Sequence, residues 1–365
     1  MAPSCEQDEV ESGPLTSRST PFSMCSRRDV APLLPEHFGD VVEAWPDEGK
    51  VPIVYNRGYN VSFLGVEKLN VFDSRKFERV VGALQREGVL DVEKLVCPLE
   101  PPLETFADVH TPEYLEELAT SRWRVIQVTE LPGLMLIPNF IIQWRIMRPL
   151  RLHVAGTILG AGLALERGWA INVGGGMHHA SRERGAGWCP YDDLTLAVRR
   201  VRKATEGKVQ KVMIVDLDAH QGNGYQRNKL YFEDEDLFVV DVYNGTIFPR
   251  DEEAKKAINV EHQVKCGIGG EEYISRVQEA LFESSNKFAP DLILYNAGTD
   301  VFADDYIGRM KLSKADIIQR DELVFGFALQ NRTPICMLLS GGYGPKNADV
   351  IAASIANLIK KYELS

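Results

Sequence analysis

Four short apolar runs in this 365-residue chain each lead straight into residues that can do chemistry. The run at 170–173 opens into Gly174, Gly175, Gly176, Met177, His178 and His179, and the run at 212–215 into Asp216, Leu217, Asp218, Ala219 and His220. A third run, 292–295, is followed by Asn296, Ala297, Gly298, Thr299 and Asp300; a fourth, 335–339, by Ser340, Gly341, Gly342 and Tyr343. Asp218 and His220 stand two apart at a strand end, where alternate side chains share a face, so both reach one cation. Asp300 completes a set of two carboxylates and one imidazole. Three such ligands leave room for water or substrate, which is the composition of a catalytic rather than a structural zinc site. Mixed oxygen and nitrogen donors also accept Fe(II) or Mn(II).

Adjacent His178 and His179 offer a general base and a general acid, Asp216 can orient one of them, and Tyr343 can donate to a developing oxyanion. Together these groups describe metal-assisted hydrolysis of an amide. Taken singly, each has a plainer explanation. An isolated Asp-x-His is commonly a cap or a satisfied core histidine, and a tyrosine beside a glycine turn is commonly packing. Glycines 174–176 point to a close approach of some group to the backbone.

The elements that must position these residues follow from the periodicity. Strand candidates at 51–55, 94–97, 170–173, 212–216, 237–242, 292–295 and 335–339 alternate with amphipathic segments of helical length. Residues 271–285 place Tyr273, Ile274, Val277, Ala280 and Leu281 on one face, and 349–362 reads the same way. The alternation predicts an α/β fold: one large domain with a mainly parallel sheet and helices on both faces. In such sheets ligands bind beyond the carboxyl ends of the strands, where the polar residues above lie.

Residues 1–48 hold six Pro, many Ser and Thr and no sustained apolar period, and are expected to be a disordered arm ahead of a catalytic domain at 49–365. Glu6, Asp8, Glu9 and Glu11 argue against an organellar transit peptide. The net charge is −11, of which residues 1–50 carry −6 through 10 acidic and 4 basic side chains. That balance disfavours direct nucleic-acid binding and suits a basic partner. The longest uncharged stretches, 131–144 and 152–165, are 14 residues each, short of the roughly 20 of a membrane-spanning helix. Six Cys without a Cys-x-x-Cys pair fit reduced thiols in the nucleus or cytoplasm.

The motifs GGGMHHA (174–180), VDLDAHQGNG (215–224), NAGTD (296–300) and SGGY (340–343), in this order and spacing, resemble the zinc-dependent histone deacetylase family from about residue 51 to the C-terminus. GVEKLNVFD (65–73), VHTPEYL (109–115), PNFIIQWRIMRPLR (138–151), DVYN (241–244), RDELVF (320–325) and Gln221 look like its class IV branch. The resemblance implies an arginase/deacetylase-like fold and hydrolysis of acyl-lysine side chains, with histones as expected substrates in chromatin and transcription regulation. It implies that Asp218, His220 and Asp300 hold Zn2+, that Tyr343 polarises the acyl carbonyl, and that His178 and His179 handle water and leaving amine. It further implies a substrate tunnel at Gly187, Trp188 and Phe248, and a K+ near Asp216. Three positions depart from class I or family patterns. Asn223 stands where class I carries the Asp that partners the second histidine, which should lower the pKa of His179. Trp188 replaces the usual Phe, which bears on acyl length, and Asn70-Val71 replaces His-Pro.

Two other readings compete. Binuclear ureohydrolases share an Asp-Ala-His motif but need an Asp two residues after the His, where this chain has Gly222. A catalytically weak acyl-lysine-binding module would share the tunnel and metal but not turn over.

Overall fold

Runs of Val, Ile and Leu buried on both faces make the core strands, as a parallel sheet covered by helices requires. The computed structural model describes residues 21–61 and 75–364. Strands β1 (Ile53–Val54), β2 (Trp169–Asn172), β3 (Val212–Asp216), β4 (Leu237–Asn244), β5 (Val260–Val264), β6 (Leu292–Asn296) and β7 (Ile335–Leu338) form one sheet. Its order is β1-β2-β7-β6-β3-β4-β5, with every neighbouring pair parallel. The four strands whose ends carry the candidate site, β2, β7, β6 and β3, are therefore consecutive in the middle of the sheet. Register places Asp216 at the end of β3 beside Asn296 on β6 and Asp241 on β4.

The helices are α1 (Lys76–Arg86), α2 (Pro112–Thr120), α3 (Arg122–Thr129), α4 (Asn139–Ile142), α5 (Arg148–Arg167), α6 (Asp193–Ala204), α7 (Asn223–Phe232), α8 (Gly270–Lys287), α9 (Lys314–Gln330) and α10 (Asn347–Lys361). Alternate strand residues feed two cores. Met213 and Val215 share one with Val277 of α8, Val324 of α9 and Ile355 of α10. Val212 and Ile214 share the other with Val154 and Ile158 of α5 and Val198 of α6. Sixteen of the twenty residues of α5 are buried, because it packs against β2 and β7 of the sheet, against α6, and under the turns at 21–25 and 57–59. No helix among the described residues is long and apolar enough to cross a membrane.

Three expectations need correction. The edge strand β5 was not anticipated, since only Val260 and Val264 of VEHQV are buried and the polar middle hides the run. Residues 94–97 form no strand of their own but a single bridge, Val96 to Val54, with hydrogen bonds Val96 N to Ile53 O (3.0 Å) and Tyr55 N to Val96 O (2.9 Å). The expected disordered arm does not extend to 48. From Pro21 the chain makes short 3-10 turns, with Phe22, Cys25, Val30, Leu34, Phe38 and Val41 buried. Arg27 Nη1 donates to Asp291 (2.9 Å), Arg200 pairs with Asp40 (2.5 Å), and Trp45 Nε1 donates to Glu166 (2.9 Å). The buried residues are spread over several short turns, so no helix or strand period marks the segment. Residues 1–20, the motif at 65–73 and Asn70-Val71 lie outside the described residues.

Candidate active site

Asp218, His220 and Asp300 are brought together as anticipated, fully or nearly fully buried, with one ligand atom of each within 4.8 Å of the others. Donors from neighbouring strand ends build the cradle. Asp218 Oδ2 accepts from Gly341 N (2.9 Å) and Ser340 Oγ (3.0 Å), and Asp300 Oδ1 accepts from Ala219 N (2.9 Å). A Cβ on Gly298 or Gly341 would collide with the Asp218 carboxylate, so only glycine lets these strand ends close around it. Among the described residues no group hydrogen-bonds the buried Asp300 Oδ2, although it sits 2.8 Å from His220 Nδ1. Burial would lower the His220 imidazole, yet Asp218 and Asp300 push it up to about 10. Burial and then Asp218 push Asp300 up to about 7. A cluster that draws positive charge, with an orphaned oxygen aimed inward, fits a divalent cation.

The histidine pair lies beside it, with His178 Nε2 3.1 Å from His179 Nε2. His178 Nδ1 faces Asp216 Oδ2 at 3.0 Å, whereas His179 Nδ1 faces the carbonyl Oδ1 of Asn223 at 2.9 Å. The consequences diverge. Burial opposes charge on His178, but Asp216 and then Asp218 outweigh it and raise the imidazole to about 9. Burial, followed by the charges of His178 and His220, holds His179 well below the ordinary histidine range. Their unlike surroundings thus push the two adjacent imidazoles in opposite directions, the separation that assigns an acid and a base.

Tyr343, His178, His179, Gly187 and Trp188 line one cavity of about 130 Å³, which continues to Tyr59, Lys76 and His153. Desolvation, then Asp218 and Asp300, hold the Tyr343 phenol far above its usual range, so it remains a donor. Its backbone N donates to Asp305 Oδ2 (2.6 Å). Trp188 adopts φ 65° after Gly187 at φ 53°, a left-handed turn that costs a tryptophan strain, and its N donates to Val128 O (2.9 Å). The Gly187 carbonyl accepts the Cys189 thiol (3.5 Å). Phe248, 49% exposed, stands edge-on to the His179 ring at 5.0 Å between centroids.

The glycines at 174–176 serve protein groups. His153 packs against Gly174, and the amides of Gly176 (2.8 Å) and Met177 (2.7 Å) both donate to Asp193. Sequence reasoning left out Asp193 and Asp192, Asp241 and Arg320. Asp241 is wholly buried, with no partner for Oδ1 among the described residues, and burial and then Asp216 raise its carboxyl well above the ordinary range. Arg320, fully buried on α9, donates Nη1 to Leu217 O (3.2 Å) and Gly298 O (2.5 Å), bracing the strand ends that carry Asp218 and Asp300. Both were visible inside motifs, DVYN and RDELVF, but nothing local to those motifs says what they touch.

Residues 70–359 match the histone deacetylase domain. The chain belongs to the histone deacetylase family. It is 42% identical over 316 residues to histone deacetylase 2 of Arabidopsis thaliana, covering 86% of this chain and 79% of that one. It is 29% identical over 185 residues to histone deacetylase 1 of Homo sapiens, covering 49% of this chain and 36% of the relative. Among solved structures, an HDAC homologue complexed with SAHA superposes with TM-score 0.65 at 18% identity, over 87% of this chain and 85% of that chain. Acetylpolyamine aminohydrolase from Burkholderia pseudomallei does so with TM-score 0.65 at 16% identity, over 85% and 98%. These likenesses show the fold expected from the alternating pattern. This deacetylase-family hydrolase therefore carries its metal-ligand candidates, histidine pair and Tyr343 at the ends of four adjacent strands.

Proposed function

We propose that the chain hydrolyses the amide of acyl-lysine side chains in proteins, with Zn2+ as the ion held by Asp218, His220 and Asp300. The observation that carries this reading is a histidine pair with unlike partners, a carboxylate behind His178 and an amide carbonyl behind His179, beside a three-ligand set. When bound, the ion supplies Lewis-acid polarisation of the acyl carbonyl. Neutral His179 takes the proton of the attacking water through Nε2. Protonated His178, steadied by Asp216, balances the charge that develops, and the proton on His179 passes to the leaving amine. Tyr343 donates its phenolic proton to the carbonyl oxygen as that oxygen gains charge. Gly187, Trp188 and Phe248 bound the path along which the lysine side chain enters.

The class IV assignment is supported by Gln221 and Asn223, and a K+ beside Asp216 by a second buried carboxylate, Asp241, one oxygen of which has no partner among the described residues. Lysine-rich histone tails in the nucleus or cytoplasm suit the net charge of −11. The test is a panel of lysine peptides carrying acetyl to long fatty acyl groups, with N-acetylated polyamines in parallel. Turnover of the peptides is expected. Turnover of polyamines alone, or metal binding without turnover of any substrate, overturns the reading.

A further inference from the structure

Asn223 is an amide in the place where its carbonyl must face His179, and an amide can be turned over. With Oδ1 toward His179 it accepts the Nδ1 proton and leaves Nε2 unprotonated, its lone pair on the side of His178. Turned over, Nδ2 would donate to Nδ1, and the ring proton would have to sit on Nε2. That tautomer cannot take a proton from water, and it would set an N–H against the His178 Nε2, 3.1 Å away.

What holds the amide is one carboxylate on the loop after β4. Asn223 Nδ2 donates to Asp251 Oδ2 (3.2 Å). Arg227 clamps the same carboxylate from α7, with Nε on Oδ2 and Nη2 on Oδ1, both at 2.6 Å. The Asp251 main chain is gripped separately by Gln221, whose Oε1 accepts from Asp251 N (2.9 Å) and whose Nε2 donates to Asp251 O (3.0 Å). The Asp251 side chain is 12% exposed. Burial would raise its carboxyl, but the hydrogen bonds from Arg227 and Asn223 hold it below the usual range, so it is an acceptor at every working pH. A carboxylate accepts only, and therefore forces the NH2 end of Asn223 outward and the carbonyl inward. Gln221 and Asn223 are then a matched pair. Both are amides and both bind Asp251, whereas a carboxylate at 223 would meet Asp251 with like charge.

We propose that Asp251, clamped by Arg227 and Gln221, is a positioning residue that fixes the orientation of the Asn223 amide and through it the tautomer of His179. This role rests on the reading of His179 as the base. Its test reads the tautomer directly, by 15N NMR of histidine-labelled protein, alongside kcat and KM. In wild type His179 should show a protonated Nδ1 and a bare Nε2. Asp251→Ala should bring in a fraction protonated at Nε2 and lower kcat roughly 10-fold, a part of the 10²–10⁴ that a general base contributes, with KM within about 2-fold. Asp251→Asn, which leaves the Gln221 grip on the main chain intact, should do the same if the alanine variant folds poorly. The exchange Asn223→Asp with Asp251→Asn should restore both readouts, since a carboxylate next to His179 has no donor end to turn inward. Unchanged tautomer in the single variants overturns the proposal. So does a rise in KM at constant kcat, which would mean that Asp251 only holds the Phe248 loop. A wild type that turns over no acyl-lysine peptide refutes the function while the NMR arm still decides the part played by Asp251.

Discussion

Removing one oxygen from Tyr343 isolates its part in the reaction. Tyr343→Phe should keep metal content and melting temperature and lower kcat roughly 100-fold, the scale of losing one oxyanion donor; activity within a few-fold of wild type would make the tyrosine packing. The histidines predict the pH profile. His178 is raised to about 9, so its charge is present below that value and lost above it. If that charge assists the reaction, kcat/KM should fall above about pH 9. Asp216→Asn removes the larger of the raising influences, so the alkaline limb should shift to lower pH in that variant; an unmoved limb assigns it to another group. His179, held low, stays neutral into mild acid and leaves the acidic side shallow. Asp218 and His220 were legible in the sequence because the relation that matters, two residues apart at a strand end, is local. Asp193 and Asp251 were not, because each acts on atoms that only the fold brings near.

At the scale of elements, α9 ties the ends of β3 and β6 together through Arg320. The guanidinium also pairs with Asp321 (2.8 Å), which accepts from Tyr295 Oη and Ser354 Oγ, both at 2.5 Å. Arg320→Met strands that carboxylate in the core and should cost about 3–5 kcal/mol, read as a lower urea midpoint. Adding Asp321→Asn should recover part of the loss, since the remaining group no longer carries charge; no recovery would mean that packing of the arginine stem dominates. Core strands could be read from their apolar runs, whereas β5 could not, because an edge strand with one buried face and polar alternates looks like a loop. The 94–97 segment erred the other way: apolar enough for a strand, it runs beside β1 for a single bridge before Pro98 ends the pairing.

Across the whole molecule, stability in acid should reflect histidines buried as neutral rings. His110 accepts from Asp192 N (3.0 Å) and donates to Arg182 O (3.3 Å), and burial lowers it to about 4. Its folded pKa lies below the unfolded value, so the unfolded chain binds the extra proton as pH drops below about 6.5. Stability is then lost on acidification, by about 2 kcal/mol for this one group at pH 5. His110→Gln cannot charge, so the stability gap between wild type and variant should narrow by about that amount from pH 7 to pH 5; a constant gap would mean that His110 titrates normally. The packed segment from Pro21 carries a consequence in time. Arg27 finds Asp291 264 positions later, which a ribosome moving at about 5–20 residues per second reaches after roughly 13–53 seconds. Phe22 waits longer still, because Phe325 and Tyr362, against which its ring packs, are made after Asp291. Spacing Phe22, Val30, Leu34 and Phe38 singly between prolines and charges, instead of along one continuous apolar face, keeps the nascent chain from finding a wrong partner first.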